Sequence, residues 1–402
     1  MHEAPSPDWD PKSDAVQSDQ RAAYDDMRTR CPVAHSDFLG WTLFRHQDVL
    51  RVLNDPGTFS SVVSQHLSVP NGMDPPEHTA YRRIVELYFQ PERMAAFAPL
   101  CRSIANRLVQ DVAGRTVELI SEFAQTFAVR AQCAFLGWPP HLHEALRLWT
   151  QGNRDASLAE DRPALAKLAR VFEDHVQGLL ASRRAGSAPA GDDIVASLIG
   201  QQVGGRPLND AEIASILRNW TVGEVGTISA SVGILVHWLA GDAGLQQQLR
   251  ERPALLPEAI DEILRLHGPL VAIRRTATRQ LELGGRTVEA GERVSLNWVA
   301  ANRDPEAFDD ADSFRLGRNP ADNLLYGAGI HVCPGAPLAR LELRLVMEAL
   351  LAGTRRISLA ADRPATLARY PASGFATLDV HIDRDADSPD AATADKPPTS
   401  IK

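Results

Sequence analysis

A single cysteine, Cys333, lies in a stretch with almost no side-chain bulk, YGAGIHVCPG at residues 326–335. Its glycines allow the backbone to approach a large, flat partner, because they present no Cβ. A helical pattern follows from about Ala336 to Ala352, so the thiol lies just before a helix N-terminus, where unpaired N–H groups favour a thiolate. Taken alone, the stretch indicates equally well a ligand site or a buried cysteine in a glycine loop, since free cysteine is often plain core.

Composition narrows the class of protein. The chain has 402 residues with 44% hydrophobic and 23% charged residues, close to an average soluble protein. A net charge of -9 argues against a general nucleic-acid binder, which needs basic surface. The four cysteines form no CxxC pair, so a zinc ribbon is not expected. The N-terminus lacks the basic and apolar regions of a signal peptide, and we expect a cytoplasmic protein.

The most apolar run extends from Trp220 to Ala240 and contains Glu224, His237 and several glycines. A membrane-spanning helix would show a cleaner apolar core with charge asymmetry at its ends. We therefore interpret this run as a long buried helix, and expect no membrane partner.

The coarse pattern predicts a mainly α protein with a small β portion. A short strand is expected at 41–44, a helix at 46–53, helices across 77–184 with a break at 137–140, and a β region at 271–296 with a Gly284-Gly285 hairpin turn. Residues 302–335 are expected to be irregular and functional. We expect a flexible segment at 1–19, one folded domain at 20–383 and a disordered tail at 384–402.

The spacing within YGAGIHVCPGAPLAR resembles the haem-binding signature of the cytochrome P450 superfamily, F-G-x-G-x-H-x-C-x-G followed by x-x-L-A-R. Only the first aromatic residue differs, with Tyr326 in place of Phe. The resemblance implies the cytochrome P450 fold, with haem b between a long distal helix and the cysteine loop. It also implies that Cys333 is the axial thiolate ligand of the haem iron and that His331 binds a haem propionate.

Other residues match the same family. Glu262 and Arg265 resemble its ExxR pair, with Arg318 as the third member of a structural triad; in isolation the pair would be a surface i,i+3 contact. His78 and Arg82 resemble its HxxxR pair, which binds haem propionates; without the resemblance they would be a solvated basic face. Arg275 matches a further propionate arginine, although Arg274 beside it is an alternative.

The predicted long helix departs from the family at the acid–alcohol pair of the A/G-G-x-D/E-T motif. The chain reads VGEVGT at residues 222–227, so Thr227 is retained and Gly226 replaces the acid. Glu224 lies about one turn earlier and is a candidate for the missing acid; the alternative is a paired structural carboxylate. We expect Thr227 and Glu224 to be catalytic, and two glycines in four residues predict a locally opened helix.

The resemblance implies a monooxygenase that inserts one oxygen atom of O2 into an apolar small molecule, by hydroxylation or dealkylation. Electrons would come from a separate ferredoxin or flavodoxin-type reductase. The sequence looks most like the haem domains of bacterial self-sufficient members, in which a reductase follows on the same chain. A peroxide-driven haem enzyme and a non-catalytic haem sensor or carrier are the alternatives.

Overall fold

The computed structural model describes residues 6–186 and 193–384. Helices dominate this part of the chain, as the pattern predicts. They are α1 Asp14–Ser18, α2 Gln20–Arg30, α3 His46–Leu53, α4 Glu77–Glu86, α5 Pro91–Val112, α6 Gln125–Leu136, α7 His143–Leu158, α8 Arg162–Arg184, α9 Ile194–Ile199, α10 Asp210–Gly241, α11 Ala243–Glu251, α12 Leu256–His267, α13 Trp298–Ala301 and α14 Ala336–Gly353.

The strands are short and form small sheets. They are β1 Val33–Ser36, β2 Gly40–Leu43, β3 Phe59–Ser60, β4 Arg115–Glu118, β5 Gln202–Val203, β6 Arg206–Pro207, β7 Ala272–Ala277, β8 Leu281–Leu283, β9 Arg286–Val288, β10 Arg293–Asn297, β11 Thr354–Leu359, β12 Thr366–Leu367, β13 Phe375–Thr377 and β14 Asp379–Arg384.

The largest sheet brings distant parts of the chain together. Its strand order is β1-β2-β10-β7-β3, with β2 and β10 parallel and the other pairs antiparallel. Arg275 on β7 pairs with Val294 on β10, and the neighbouring Thr276 pairs with Ser60 on β3. This register places Arg275 close to the segment that follows β3. A second sheet has the order β11-β14-β4, and β8 and β9 form the predicted hairpin at Gly284-Gly285.

The helical core is built around α10, which packs against α6, α8, α12 and α14, while α5 packs along α14. Asn209 caps α10 with a full capping box, in which its side chain accepts from the Glu212 N–H and Glu212 accepts in return. By length and composition alone, α10 is long and apolar enough to cross a membrane. Because 56% of its most apolar stretch is buried against other parts of the protein, α10 has the character of a core helix.

The structure differs from the expectation at the N-terminus. Residues 1–19 were expected to be flexible; among the described residues 6–19, Trp9 is buried and makes edge contacts with the rings of Tyr24 and Phe44. Asp8 accepts from the His35 N–H and pairs with Arg286. An apolar anchor and these polar contacts order a segment whose composition alone indicated disorder. Residues 385–402 of the predicted tail lie outside the described residues, as do residues 1–5.

Three further differences concern local structure. Helix α10 is continuous through Gly223 and Gly226, so the predicted opening is wrong; long-range packing of the helix outweighs the low helix propensity of glycine. Strand β4 interrupts the helical region expected at 77–184, because residues 115–118 pair with β14 more than 250 residues later. The sequence pattern did not predict the strands after α14, because β14 pairs with the distant β4, and β12 and β13 have only two and three residues.

Candidate active site

The cysteine loop is held in place by backbone contacts that need glycine. Gly327 and Gly329 have φ angles of 74° and 67°, in the region that side chains rarely adopt. A Cβ on Gly329 would also lie 2.3 Å from the Leu53 carbonyl oxygen at the end of α3. The Cys333 N–H donates to the Tyr326 carbonyl at 2.8 Å, which closes the loop. Gly329 therefore allows close backbone approach to α3, while a Cβ on Gly327 would lie 3.7 Å from the Trp298 ring; the predicted approach of a large, flat partner stays a prediction.

The Cys333 thiol has an environment unlike that of the other cysteines. Its residue is exposed, whereas Cys101 and Cys133 are fully buried. Desolvation by the surrounding protein raises the pKa of the Cys333 thiol, while the N–H groups of Gly335 and Ala336 and the charges of Arg82 and Arg340 lower it. Gly335 and Ala336 form the first turn of α14, so the predicted helix-terminus stabilisation of a thiolate is present.

A buried ion-pair triad fixes the segment before the loop. Glu262 and Arg265 on α12 make two hydrogen bonds of 2.7 and 2.9 Å, and Arg318 donates to Glu262 at 2.8 Å. Arg265 also donates to the carbonyls of Asn302 and Ala311. Burial alone would raise the pKa of Glu262, but the two arginines hold it below its ordinary value. The predicted triad is confirmed, and it ties residues 302–318 to α12.

Four basic side chains meet beside the cysteine loop. The rings of His78 and His331 lie 4.2 Å apart, and both ring nitrogens of His78 are buried without a hydrogen-bond partner among the described residues. Burial, together with Arg82, lowers the pKa of His78; burial, His78 and Arg275 lower that of His331 to about 3. His331 contacts the Ser61 hydroxyl through Nε2 at 2.9 Å. The predicted residues therefore converge, although they are far apart in sequence.

Arg275 lies in this cluster, and its contacts differ from those of Arg274. Arg275 is buried, and its one described hydrogen bond runs to the Arg274 carbonyl. Burial lowers its pKa to about 10, opposed only by Asp74. Arg274 instead lies over the ring of Phe38, at 6.0 Å. Asp74 is itself engaged by Ser60 and by the Ser61 N–H, so it does not neutralise the cluster.

The cluster fits the propionate edge of a haem. Buried, unpaired cations and donors are costly, and a dianionic ligand edge would supply their missing partners. His78, Arg82, Arg275 and His331 would hold the propionates, and Cys333 would be the axial ligand of the iron. Residues 6–186 and 193–384 contain no group of three or more His, Cys, Asp or Glu able to hold a metal.

Thr227 and Glu224 were both expected to be catalytic, but their side chains are not directed towards each other. The Thr227 hydroxyl donates to the Gly223 carbonyl at 2.6 Å, four residues earlier on α10, and lies 3.2 Å from the Glu224 carbonyl. The Glu224 carboxyl is directed to α6 and α14, not to Thr227. With its amide orientation assigned from the hydrogen-bond network, Gln132 on α6 donates to both Glu224 oxygens, at 2.8 Å to Oε1. The catalytic role of Glu224 remains a prediction.

Sequence reasoning missed the second acid at this place, Glu342 on α14. Its side chain is completely buried, and neither carboxyl oxygen has a hydrogen-bond partner among the described residues. Burial, and the neighbouring Glu342, raise the pKa of Glu224 well above its ordinary value; burial raises that of Glu342 to about 8. The available signal was periodicity: Glu342 shares a helix face with Leu338, Leu345 and Val346.

The comparisons with known proteins agree with this geometry. The family model described as Cytochrome P450 matches residues 157–353. The erythromycin C-12 hydroxylase of Saccharopolyspora erythraea is 33% identical over 347 residues, which cover 84% of this chain and 87% of that protein. The chain belongs to the cytochrome P450 family. As a cytochrome P450 monooxygenase it is an oxidoreductase whose cofactor is haem.

Further relatives of this cytochrome P450 include the mycinamicin IV hydroxylase/epoxidase of Micromonospora griseorubida, 32% identical over 77% of this chain and 81% of that protein. A solved structure of a mutant of P450 EryK in complex with erythromycin B superposes with a TM-score of 0.84 at 30% identity, covering 92% of this chain and 99% of that one. The cytochrome P450 fold expected from the cysteine loop is thus shown over nearly the whole chain.

Proposed function

We propose that this cytochrome P450 binds haem b and inserts one oxygen atom of O2 into an apolar small molecule, using electrons from a separate ferredoxin or flavodoxin-type partner in the cytoplasm. The observation that carries the proposal is an exposed thiol at the N-terminus of α14 beside a basic cluster in which both buried ring nitrogens of His78 lack a hydrogen-bond partner among the described residues. Thiolate ligation supports O–O cleavage when the haem is bound. In the net reaction two electrons and two protons are consumed, and the second oxygen atom leaves as water.

The chain's own residues would divide the work. The N–H groups of Gly335 and Ala336 would stabilise the Cys333 thiolate. The basic cluster orients the cofactor through its carboxylates. Thr227, partly exposed on α10, supplies a hydroxyl that accepts a proton on one side and donates one on the other. Thr227 is not itself a net proton source, so an acid must supply it.

The substrate class is proposed from the apolar side chains that the family resemblance places around the pocket. Val222 is an exposed apolar residue one turn before Thr227, and Phe375 packs on the His237 ring at 4.4 Å. Val69 and Val271 lie at positions where the family lines its pocket, and both are fully buried. One relative is named erythromycin C-12 hydroxylase, another mycinamicin IV hydroxylase/epoxidase, and a third linalool 8-monooxygenase. Their differing names support the reaction class but select no substrate.

Electron delivery in trans is supported by arginines near the cysteine loop. Arg83 on α4 is exposed, and Arg340 on α14 lies over the Tyr326 ring at 4.4 Å while pairing with Asp261. Arg344 pairs with Glu348. An acidic partner could engage these guanidinium groups, and attraction of this kind accelerates encounter and weakens with salt. Fusion to a reductase, as in self-sufficient members, remains the alternative source of electrons.

The test is a substrate screen followed by turnover. Purified haem-loaded protein is titrated with apolar compounds, and those that shift the haem spin state are incubated with O2, NADPH and a surrogate ferredoxin system. The proposal expects a product containing one atom from labelled O2 and no product without the ferredoxin. Product formed only when hydrogen peroxide replaces the ferredoxin would assign the chain to peroxide-driven chemistry. Absence of product from every spin-shifting compound under both conditions would favour a haem sensor or carrier.

A further inference from the structure

A cleft of about 310 Å³ opens beside the β11-β14-β4 sheet. It lies at the far end of α14 from Cys333, and the 18 residues of that helix rise about 27 Å at 1.5 Å per residue, so the cleft is outside the haem site. Ligand pockets typically have about 300–1,000 Å³, so this cleft has room for a small ligand. Its polar lining consists of Arg115, Thr116, Arg355, His381, Asp383 and Arg384.

The sheet register brings these side chains together from three distant segments of the chain. His381 on β14 stands opposite Thr116 on β4. On the other side of β14, the register of β11 shifts just before Arg356, so Arg355 has no register partner on β14. Such an irregularity redirects the side chain of the extra residue. The cleft is therefore a product of the fold, and no local sequence motif relates its members.

The arginines of the cleft have donors to offer a ligand, because a guanidinium carries five N–H groups and accepts no hydrogen bond. Arg115 donates to a backbone carbonyl of α5 at 3.1 Å and to Glu122 at 3.2 Å, and these two bonds orient its guanidinium. Arg384 donates to a backbone carbonyl at 3.4 Å. Arg355 contacts Asp383 at 3.5 Å, and both side chains are exposed. Exposed ion pairs contribute little to stability, so a ligand can recruit Arg355 at small cost.

The cleft gathers positive charge in an acidic protein. The whole chain has a net charge of -9, whereas the cleft is lined by three arginines and one acid, Asp383. A fourth arginine, Arg356, is exposed and stands opposite Asp383 in the strand register. The Thr116 hydroxyl lies 2.5 Å from Nδ1 of His381, so a hydroxyl and an imidazole border the same space. A concave surface with a surplus of fixed positive charge attracts anions.

From this arrangement we propose that the cleft binds a small molecule through a phosphate group. A planar guanidinium forms paired hydrogen bonds with phosphate oxygens, and three guanidinium groups match a group with several such oxygens. The phosphate lies between Arg115, Arg355 and Arg384, beside the Thr116 hydroxyl. Because the ligand joins β4, β11 and β14, its binding also stabilises the folded chain. The inference goes beyond the monooxygenase function and does not depend on it.

The first test is calorimetric titration of the full haem-loaded protein with sodium pyrophosphate, at constant ionic strength and without divalent metal. Wild-type protein should bind it saturably at one site. Arg355→Gln and Arg384→Gln should each weaken binding by roughly tenfold or more, because a hydrogen bond to a charged group contributes at least that factor. Arg363→Gln, at an exposed arginine that pairs with Asp379 of β14 outside the cleft, is the matched control and should bind as the wild type does. Absence of saturable binding, or equal affinities of Arg384→Gln and Arg363→Gln, would overturn the inference.

The second test identifies the class of ligand by titrating ADP and succinate under the same conditions. Tighter binding of ADP than of pyrophosphate supports the proposal and assigns a phosphate ester as the ligand. Equal or weaker binding of ADP supports it with free pyrophosphate as the ligand. Succinate that binds as tightly as pyrophosphate would overturn the phosphate assignment, since any dianion would then suffice. Neither test uses turnover, so a failure here leaves the proposed monooxygenase function standing.

Discussion

The protein contains a cluster of basic side chains and a pair of buried acids, and the two differ in how their charge can be neutralised. Beside the cysteine loop, His78, Arg82, Arg275 and His331 gather positive charge and donors with too few acids. Between α10 and α14, Glu224 and Glu342 gather two acids without a cation. The basic group can be neutralised by an anionic ligand edge. Burial raises the pKa of both acids, which favours their protonated forms. An unbalanced buried cluster therefore indicates either a ligand or a stored proton, and its surroundings decide which.

In the Glu262 triad the buried carboxylate is paired with two arginines, so the triad is a comparison for both clusters. Breaking it should have the largest effect on the free energy of unfolding. Glu262→Gln leaves Arg265 and Arg318 without their shared carboxylate, and removing one partner of a buried pair costs about 3–5 kcal/mol. We expect a fall of that size in the free energy of unfolding by urea, with poor haem loading. Arg315→Gln, which changes an exposed arginine paired with Asp310, is the control. Equal stabilities of the two variants would contradict the structural role of the triad.

The basic cluster predicts that substitutions of the adjacent Arg274 and Arg275 differ in their effect on haem binding. Arg275→Leu should weaken haem binding by roughly 10- to 100-fold, because a hydrogen bond to a charged group contributes about 1.5–3 kcal/mol. Arg274→Leu should change it little, since Arg274 lies over Phe38. Haem transfer to apomyoglobin measures both. Similar transfer rates for the two variants would remove Arg275 from the propionate site.

The acidic pair predicts a pH dependence of stability with a definite sign. Because the pKa of Glu342 is raised to about 8 in the folded state, from about 4.3 unfolded, the folded protein binds more protons between these values. Its contribution to stability is therefore present at low pH and is lost as pH rises towards 8. Urea unfolding of Glu342→Gln from pH 5.5 to 8 should show a flatter dependence than the wild type. Parallel curves would mean that Glu342 is ionised throughout this range.

A small effect on the rate of reduction is expected from a charge change at the surface beside the basic cluster. Arg83→Glu should slow reduction by a surrogate ferredoxin a few-fold at low ionic strength, and the difference should vanish at high salt because exposed charges are screened. Arg154→Glu on α7, a helix that packs on α6 and α8, is the control. Reduction rates that do not depend on ionic strength would count against docking near α4.

The two clusters were not equally visible in the sequence. The basic one follows from fixed local spacings, HxxxR and HxC, which a family pattern records. The acidic one depends on α6, α10 and α14 meeting in space, and no local spacing relates Gln132, Glu224 and Glu342. The sequence indicated two possible roles for Glu224. Glu342 lies 118 residues later, in a helix whose other charged residues have the pattern of a solvent-exposed face. For the same reason the pairing of β4 with β14 and the anchoring of Trp9 were missed: each depends on contacts between distant segments.

The most direct test of the account is the visible spectrum of the ferrous carbonyl complex. Wild-type protein should show the strongly red-shifted Soret band of thiolate ligation. Cys333→His should load haem but lose that band, since the thiolate is replaced by imidazole. Cys101→Ser and Cys133→Ser, at the two fully buried cysteines, should both keep it. Survival of the band in Cys333→His, or its loss in either control variant with haem still bound, would contradict the assignment of Cys333 as the iron ligand.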